Sequence, residues 1–404
     1  MKYIYQNHFT DRSGNAVSSG NITIYNANST VLATCYSTSG STAVTGSVVA
    51  SGTDGFFKFW VDTKDYNAQD RFKLILSKTN FTSKTYDDIT IIPENEWTYY
   101  ADAGATDQGV DSDDNSIADL LAEIGTTNVR TIVLKQGTYT VTTPLTITSN
   151  ITLIVQAGAV LTKGGAGTMT INGKLEAGTY QIFSGFTAGN ITFGATAVKE
   201  AYPDWWAVNT TPGTTDMTIA IDCAIYSTAN VRLLGQSYGT TGSHSFANGE
   251  DGQKFLGSGQ RDKTIIKRLS GTNILLLLTS NRLLEVGDFT IDGNSLGGAS
   301  IKVQGIGQTL HDIEFQGTGG TSYALEITGC NRIVGERLYF LDGNYGGIFI
   351  YGPLAIAVYL NDVQGGDVTG YAVRTTDEST IVHLTNFSWD LSAVSSGFLG
   401  ATGV

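Results

Sequence analysis

The sequence predicts an all-β chain: a small N-terminal β-sandwich followed by a parallel β-helix with short capping helices. Three observations carry that prediction. Apolar side chains alternate at a period of two in short runs. Glycine is abundant at 49 while proline is scarce at 5, and the last third of the chain repeats every 24 or 25 residues. A chain of 404 residues exceeds one ordinary core. Three segments are expected: a sandwich over 1–96, a first capped β-helical segment over 97–202 and a main β-helix over 203–404.

The sandwich rests on short runs separated by Gly, Ser, Asn and Asp: Asn21–Tyr25, Val31–Tyr36, Phe56–Val61, Phe72–Leu76 and Ile89–Ile92. Phe56-Phe57-Lys58-Phe59-Trp60-Val61 and Phe72-Lys73-Leu74-Ile75-Leu76 alternate near a period of two, and no helical period of useful length interrupts them.

Beyond residue 97 the spacing predicts a short helix over Ser116–Ile124, with Ile117, Leu120, Leu121 and Ile124 on one face and Asp113 or Asp114 as its cap. Strands are expected at Arg130–Lys135, Thr138–Thr142, Leu145–Thr148, Ile151–Val155, Met169–Ile171 and Tyr180–Phe183. The plan then recurs. Asp216 starts a second helix over Met217–Ile225, Asn128-Val129-Arg130 returns as Asn230-Val231-Arg232, and Gln136-Gly137-Thr138-Tyr139 is echoed by Gln236-Ser237-Tyr238-Gly239. A helix followed by strands, used twice, fits a solenoid whose open ends need covering.

The last third holds the clearest signal. Val286-Gly-Asp288-Phe289-Thr-Ile291 aligns with Leu310-His-Asp312-Ile313-Glu-Phe315, Gly335-Glu-Arg337-Leu338-Tyr-Phe340, Leu360-Asn-Asp362-Val363 and Leu384-Thr-Asn386-Phe387-Ser-Trp389. The steps between Phe289, Ile313, Leu338, Val363 and Phe387 are 24, 25, 25 and 24 residues. A second column is expected through Val303, Ile327, Ile350 and Val373. Coils of that length stacked about 4.8 Å apart turn each column into an apolar ladder. Leucine-rich repeats share the period, but their leucine and asparagine consensus is missing.

Composition excludes several functions. The 37 acidic residues against 24 basic ones give a net charge of −13, the wrong sign for a general nucleic-acid binder. No apolar run reaches the ~18 residues of a spanning helix, so no membrane insertion is expected. The start MKYIYQNHFTDR carries no signal-peptide pattern, which points to synthesis in a cytoplasm. Cys35, Cys223 and Cys330 share no metal spacing, Asp111-Ser-Asp-Asp114 departs from a calcium loop, and neither a metal nor a cofactor is expected.

Three stretches resemble a known family. Phe9-Thr-Asp-Arg-Ser-Gly-Asn-Ala-Val-Ser-Ser-Gly through Gly55-Phe-Phe-Lys-Phe-Trp-Val61 is similar to a small β module near the start of many phage tail fibres. Gly137-Thr-Tyr139, Asn172-Gly173, Glu176-Ala177-Gly178 and Tyr180-Gln-Ile-Phe183 lead to Tyr202-Pro-Asp-Trp-Trp206, like a segment that precedes many phage β-helices. Trp-Trp-Gly-Ala is usual there, whereas Trp206 is followed by Ala207-Val208. Thr215-Asp216, Ala220-Ile221, Ala224-Ile225, Leu256-Gly-Ser-Gly259 and Thr264-Ile265-Ile266 resemble an opening rung. The family is that of bacteriophage and prophage tailspike or tail-fibre proteins with a pectate-lyase-like right-handed parallel β-helix. The resemblance implies a homotrimer in the virion, attachment to a phage tail or baseplate protein through the N-terminal domain, and contact with host surface polysaccharide. It carries over no catalytic residue, because the family shares no catalytic motif that this sequence matches.

Candidate sites therefore come from the rungs. Retaining glycosidases place two carboxyls about 5 Å apart and inverting ones about 6.5–9.5 Å apart, spacings that one or two rungs supply. The outward column Thr290, Glu314, Tyr339, Gln364 and Ser388 offers Glu314 as acid, with Asp292 or Asp342 as base or nucleophile. The alternative is a solvated face whose aspartates make Asp-Gly turns. Tyr339, Tyr345, Tyr351 and Tyr371, in a tyrosine-rich region with Tyr323 and Tyr359, are candidates for packing sugar rings or for trimer contact. The column Asp288, Asp312, Arg337, Asp362 and Asn386 reads as a structural polar ladder in which Arg337 offsets Asp312 and Asp362. Lys302 and Glu326, on neighbouring rungs with Phe349 and Arg374 beyond, read as a surface ion pair plus exposed packing, and Trp205-Trp206 as a hydrophobic joint. The expected function is recognition, with cleavage in addition if the carboxylates are competent. A purely structural tail component and a secreted polysaccharide lyase are the alternatives.

Overall fold

Alternation becomes layers in the N-terminal segment: Phe57, Phe59 and Val61 are buried while Lys58 between them is exposed. The computed structural model describes residues 2–11, 13–37, 43–62, 65–66, 70–91, 98–104, 116–246, 251–259, 262–271, 273–277, 283–329, 331–341, 344–352, 357–366, 368–376, 381–390 and 398–399. Asp111–Asp114, Cys330 and Asp342 lie outside these described residues. The chain divides into one unit of Met1–Tyr99 with Glu123–Arg130 and another of Tyr100–Ala122 with Thr131–Val404.

In the first unit β1 (Lys2–His8), β2 (Asn21–Asn26), β3 (Val48–Ala50), β4 (Phe56–Asp62), β5 (Phe72–Ser77) and β6 (Lys84–Ile89) form two antiparallel sheets, β1-β4 and β3-β2-β5-β6. Ile22, Ile24, Phe57, Phe59, Phe72 and Leu74 share one buried core, so both sheets cover the same apolar layer. Val31–Tyr36 makes only isolated bridges, from Leu32 to Tyr25 and from Tyr36 to Ala43 and Trp60. Only Ala33, Cys35 and Tyr36 of that run are buried, while Val31 and Leu32 are exposed. The strand expected at Ile89–Ile92 instead ends at Ile89, with the polar edge strand β6 before it.

The helix α1 (Ile117–Ile124) begins at Ser116, whose hydroxyl accepts the Asp119 amide at 3.1 Å and donates to the Asp119 carboxylate at 2.6 Å. β7 (Thr98–Ala101) precedes this helix, and after it come β8 (Arg130–Leu134), β9 (Gly137–Val141), β10 (Leu145–Ile147), β11 (Ile151–Val155), β12 (Ala159–Lys163), β13 (Met169–Ile171), β14 (Lys174–Ala177), β15 (Phe183–Ser184) and β16 (Ile191–Phe193). They stack in three sheets, β14-β11-β8-β7, β15-β12-β9 and β10-β13-β16, with the solenoid strands parallel. Partners such as Thr152 and Lys174, or Gly137 and Ala159, lie 22 residues apart. Trp205 and Trp206 are buried in an aromatic cluster with Phe183, Phe193 and Tyr202, and Trp205 Nε1 donates to the Gly178 carbonyl at 2.7 Å.

Asp216 accepts the Thr218 amide at 3.0 Å and starts α2 (Thr218–Ile225). Met217, Ala220, Ile221, Ala224 and Ile225 all face inward. Then come β17 (Val231–Arg232), β18 (Ser237–Thr240), β19 (His244–Ser245), β20 (Lys254–Leu256), β21 (Ile265–Arg268) and β22 (Leu275–Leu277). The long coils follow: β23 (Glu285–Asp292), β24 (Ile301–Val303), β25 (Ile306–Gln316), β26 (Tyr323–Thr328), β27 (Asn331–Phe340), β28 (Gly346–Tyr351), β29 (Ala357–Gly365), β30 (Val373–Thr375), β31 (Ile381–Trp389) and β32 (Phe398–Leu399). One sheet runs β17-β20-β23-β25-β27-β29-β31 and another β19-β22-β24-β26-β28-β30-β32. The whole is a right-handed parallel β-solenoid of about ten turns.

The predicted column is in register: Phe289, Ile313, Leu338, Val363 and Phe387 pair in turn, and the first four are fully buried. The second column is corrected at its end, since Val373 pairs with Ile348 rather than Ile350. A two-residue slip leaves the side chain inward because strand orientation repeats every two residues. Inside, Phe315 and Phe340 stack face to face at 4.6 Å, and Trp389 reaches Phe340 at 5.2 Å by lying across Gly365.

Candidate functional site

The first candidate face belongs to β23, β25 and β27. Register places Glu314 between Thr290 and Tyr339, and Asp292 one rung back and two residues along from Glu314. Period-two orientation puts all four side chains on the outer side of the sheet, with about 7–8 Å between such diagonal backbone positions. Thr290 Oγ1 donates to Glu314 Oε1 at 3.5 Å. Asp292 accepts the Asn294 amide at 2.7 Å and has Lys267 Nζ at 3.9 Å. Asp292 is thus part of an Asx turn as well as a surface carboxylate. Asp342, the third acid in the expected set, is outside the described residues.

The tyrosines divide. Tyr339 stands beside Glu314, whereas Tyr351 belongs to β28 in the other sheet. Tyr345 and Tyr371 lie in the turns before that other sheet, where the Gly370 amide donates to the Tyr345 carbonyl at 2.6 Å and the Gly347 amide to the Tyr371 carbonyl at 3.1 Å. Around them an aromatic strip forms: Tyr323 meets Tyr345 edge-on at 5.8 Å, Phe349 lies 5.0 Å from Tyr323, and Phe349 stacks on Tyr351 at 4.5 Å. Charged groups border the strip. Arg374 lies over Phe349 at 5.1 Å, Lys302 Nζ is 5.9 Å from the Tyr351 ring, and the Tyr351 hydroxyl donates to Glu326 Oε2 at 3.1 Å. Lys302 and Glu326 therefore meet around Tyr351 rather than forming a simple pair. The repeat places Lys302, Glu326, Phe349 and Arg374 on successive rungs, and they pair in that order; it does not show that the Phe349 ring packs against Tyr323 and Tyr351.

The polar column is a row of left-handed residues. Asp288, Asp312, Arg337, Asp362 and Asn386 all have φ between 50° and 68°. One such residue per coil bends each long strand while pairing continues on both sides. Arg337 grips Asp312 with two bonds, Nε to Oδ1 at 2.8 Å and Nη2 to Oδ2 at 2.7 Å. Asp362 instead accepts from Gln364 Nε2 at 3.1 Å. The guanidinium of Arg337, aided by His311, holds Asp312 below the ordinary carboxylate range against the opposing effect of burial. His311 was not singled out by the repeat, yet it touches three acids: Nδ1 lies 3.1 Å from Asp312 and 3.8 Å from Asp288, and Nε2 lies 3.3 Å from Glu285. Among the described residues, Asp288, His311 and Asp312 bring three ligand-type atoms within 4.8 Å of one another.

Other polar groups are internal supports. The Tyr238 hydroxyl donates to Asp204 Oδ2 at 2.7 Å and Gln236 Nε2 to Asp204 Oδ1 at 2.6 Å, while burial raises the Asp204 carboxyl. Fully buried His244 joins Asp222 and Thr240, each at 2.8 Å. Arg268, also fully buried, donates to the carbonyls of Leu296, Gly297, Gly298 and Ala299 and so fixes that loop; burial lowers its guanidinium to about 10.

No family model matches the chain, and no curated protein matches it. Among solved structures it is similar to the catalytic unit of a thermostable GH87 α-1,3-glucanase from Streptomyces thermodiastaticus strain HF3-3, at 10% identity over 99% of this chain and 90% of that one, with a TM-score of 0.30. An iota-carrageenase of family GH82 from A. fortis shares 14% identity over 69% of this chain and 57% of that one, with a TM-score of 0.24. The chain thus spans under two thirds of that carrageenase. Pantoea stewartii WceF, a glycan biofilm modifying enzyme with a bacteriophage tailspike-like parallel β-helix fold, shares 8% identity over 100% of this chain and 64% of that one, with a TM-score of 0.16. At such scores the likeness carries nothing about activity or substrate.

Proposed function

We propose that the solenoid recognises a cell-surface polysaccharide as part of a homotrimeric phage tail fibre or tailspike, joined to the tail or baseplate through its N-terminal sandwich. The observation that supports recognition is the half-buried pair Phe349–Tyr351, backed by the buried ring of Tyr323 and flanked by Lys302, Glu326 and Arg374. Sugar rings pack their C–H faces on aromatic rings while their hydroxyls take hydrogen bonds from charged neighbours at the edge. The phage role rests on the sequence resemblance alone.

Cleavage is a second reading, favoured by the diagonal placement of Asp292 and Glu314. Backbone positions so placed let the two carboxyls reach the separation of roughly 6.5–9.5 Å used by inverting glycosidases, in which Glu314 would protonate the leaving oxygen and Asp292 would activate water. A glycan array with the wild-type chain and Phe349→Ala tests recognition. A roughly 3–10-fold weaker binding of the glycan by the variant is expected, and unchanged binding would remove the strip. Reducing-end release from that glycan, compared between wild type and Glu314→Gln, tests cleavage. Light scattering and co-sedimentation with tail particles test the trimer and the attachment.

A further inference from the structure

We infer that Asp288, His311 and Asp312 form a binding site for a divalent transition-metal cation of the zinc type, with Glu285 and Arg337 orienting its ligands. This inference stands apart from glycan recognition, since it uses neither the aromatic strip nor the Asp292–Glu314 pair.

The donor set and its spacing come first. One imidazole nitrogen and two carboxylates suit zinc and its first-row neighbours better than calcium or magnesium, which favour oxygen alone. A tetrahedral site with bonds of about 2.1 Å has ligand–ligand edges of roughly 3.4 Å. His311 Nδ1 to Asp312 Oδ2 is 3.1 Å and to Asp288 Oδ1 is 3.8 Å, so these two edges bracket that length, and the third, between the aspartates, is within 4.8 Å. The three side chains are 21%, 16% and 30% exposed, partly desolvated yet open to an entering ion.

Their orientation is held from behind. His311 Nε2 lies 3.3 Å from Glu285 Oε1. In the tautomer that donates from Nε2 to this carboxylate, the Nδ1 lone pair faces both aspartates. A carboxylate on the outer nitrogen is the usual support of a metal-bound imidazole. Gly287 provides the bed for the ring: a Cβ there would come within 2.7 Å of His311 Nδ1 and Cε1. Arg337 holds both oxygens of Asp312, and a carboxylate oxygen has a second lone pair left for a metal. The left-handed backbone at Asp288 and Asp312 repeats on adjacent rungs, which brings the two carboxylates to the same side.

Charge points the same way. Glu200, Glu285, Asp288, Asp312 and Glu336 are linked to Lys254, Arg232 and Arg337, five carboxylates against three fixed cations. A dication on His311 and the two aspartates neutralises that excess.

The test is a Zn²⁺ titration of the full chain, followed by calorimetry and by the melting temperature, with Co²⁺ absorption as a spectroscopic probe. One Zn²⁺ per chain and a rise in melting temperature are expected. His311→Ala should weaken binding at least ~100-fold, and Glu285→Gln, which keeps all three ligands, by roughly 10-fold or more. His8→Ala and His383→Ala should leave affinity unchanged. Absence of Zn²⁺ binding, or equal affinity in the His311→Ala chain, overturns the site. If His311→Ala does not fold, Glu285→Gln decides alone, and unchanged affinity in that variant refutes the inference.

Discussion

The coils over 137–193 and those over 285–389 stack by the same parallel pairing but differ in what each turn carries. Coils in the first region are mostly 22 residues long, lie in three sheets of short strands, and have mostly Leu, Ile and Val inside until Phe183 and Phe193 meet the Trp205–Trp206 cluster at their end, with mainly Thr on the outward positions. In the second the coils take 24 or 25 residues, two strands fuse across a left-handed residue, and Phe315, Phe340 and Trp389 pack on one another from coil to coil. The added two or three residues per coil accompany the bend, and the bend brings charges of neighbouring rungs together. The plain coils hold the fold; the bent ones hold every candidate site described above.

That contrast breaks most directly in the core. Phe340→Ala should lose about 3–5 kcal/mol in chemical denaturation, because the ring packs on both Phe315 and Trp389. A loss below ~1 kcal/mol would mean that the aromatic column does not hold the later coils. Gly365→Ala should cost about 1–3 kcal/mol by overpacking, since its Cβ would stand 2.4 Å from the Trp389 ring. At the surface, Phe349→Ala should reduce glycan affinity by roughly 3–10-fold, the worth of one aromatic contact, whereas Thr170→Ala on the plain coils should leave it unchanged.

The smallest effect is a pH dependence in the linking stretch between the two regions. Burial raises the Asp204 carboxyl above its reference value of 3.8, with Tyr238 and Gln236 opposing the shift. A group raised on folding contributes stability that is complete below the unfolded value and is lost as pH rises through the folded one. Asp204→Asn abolishes that loss. Its stability relative to wild type should improve as pH rises across that window, and a parallel pair of pH–stability curves would exclude the effect.

Legibility followed the range of the interaction. Phe289, Ile313, Leu338, Val363 and Phe387 could be aligned because each must be apolar at a fixed step. The edge strands Lys2–His8 and Lys84–Ile89 were missed because a half-solvated strand needs no strict alternation. The 22-residue period of the first region escaped notice because its short strands carry two or three inward residues each, too few to mark a column. The repeat sets His311 one rung above Gly287, next to Asp288, but its contacts with Glu285 and Asp288 depend on where the imidazole ring points, which an alignment does not carry.

By itself the sequence determined the all-β class, both helices and the interior column of the late coils, since burial at a fixed period leaves a mark in one dimension. Tertiary structure alone decided that Phe349 packs against both Tyr323 and Tyr351, that Arg337 binds Asp312 rather than sharing itself with Asp362, and that His311 meets three acids. Those outcomes depend on which coil lies above which and by how many residues it slips, and a slip of two leaves the inward pattern unchanged while exchanging every outward neighbour.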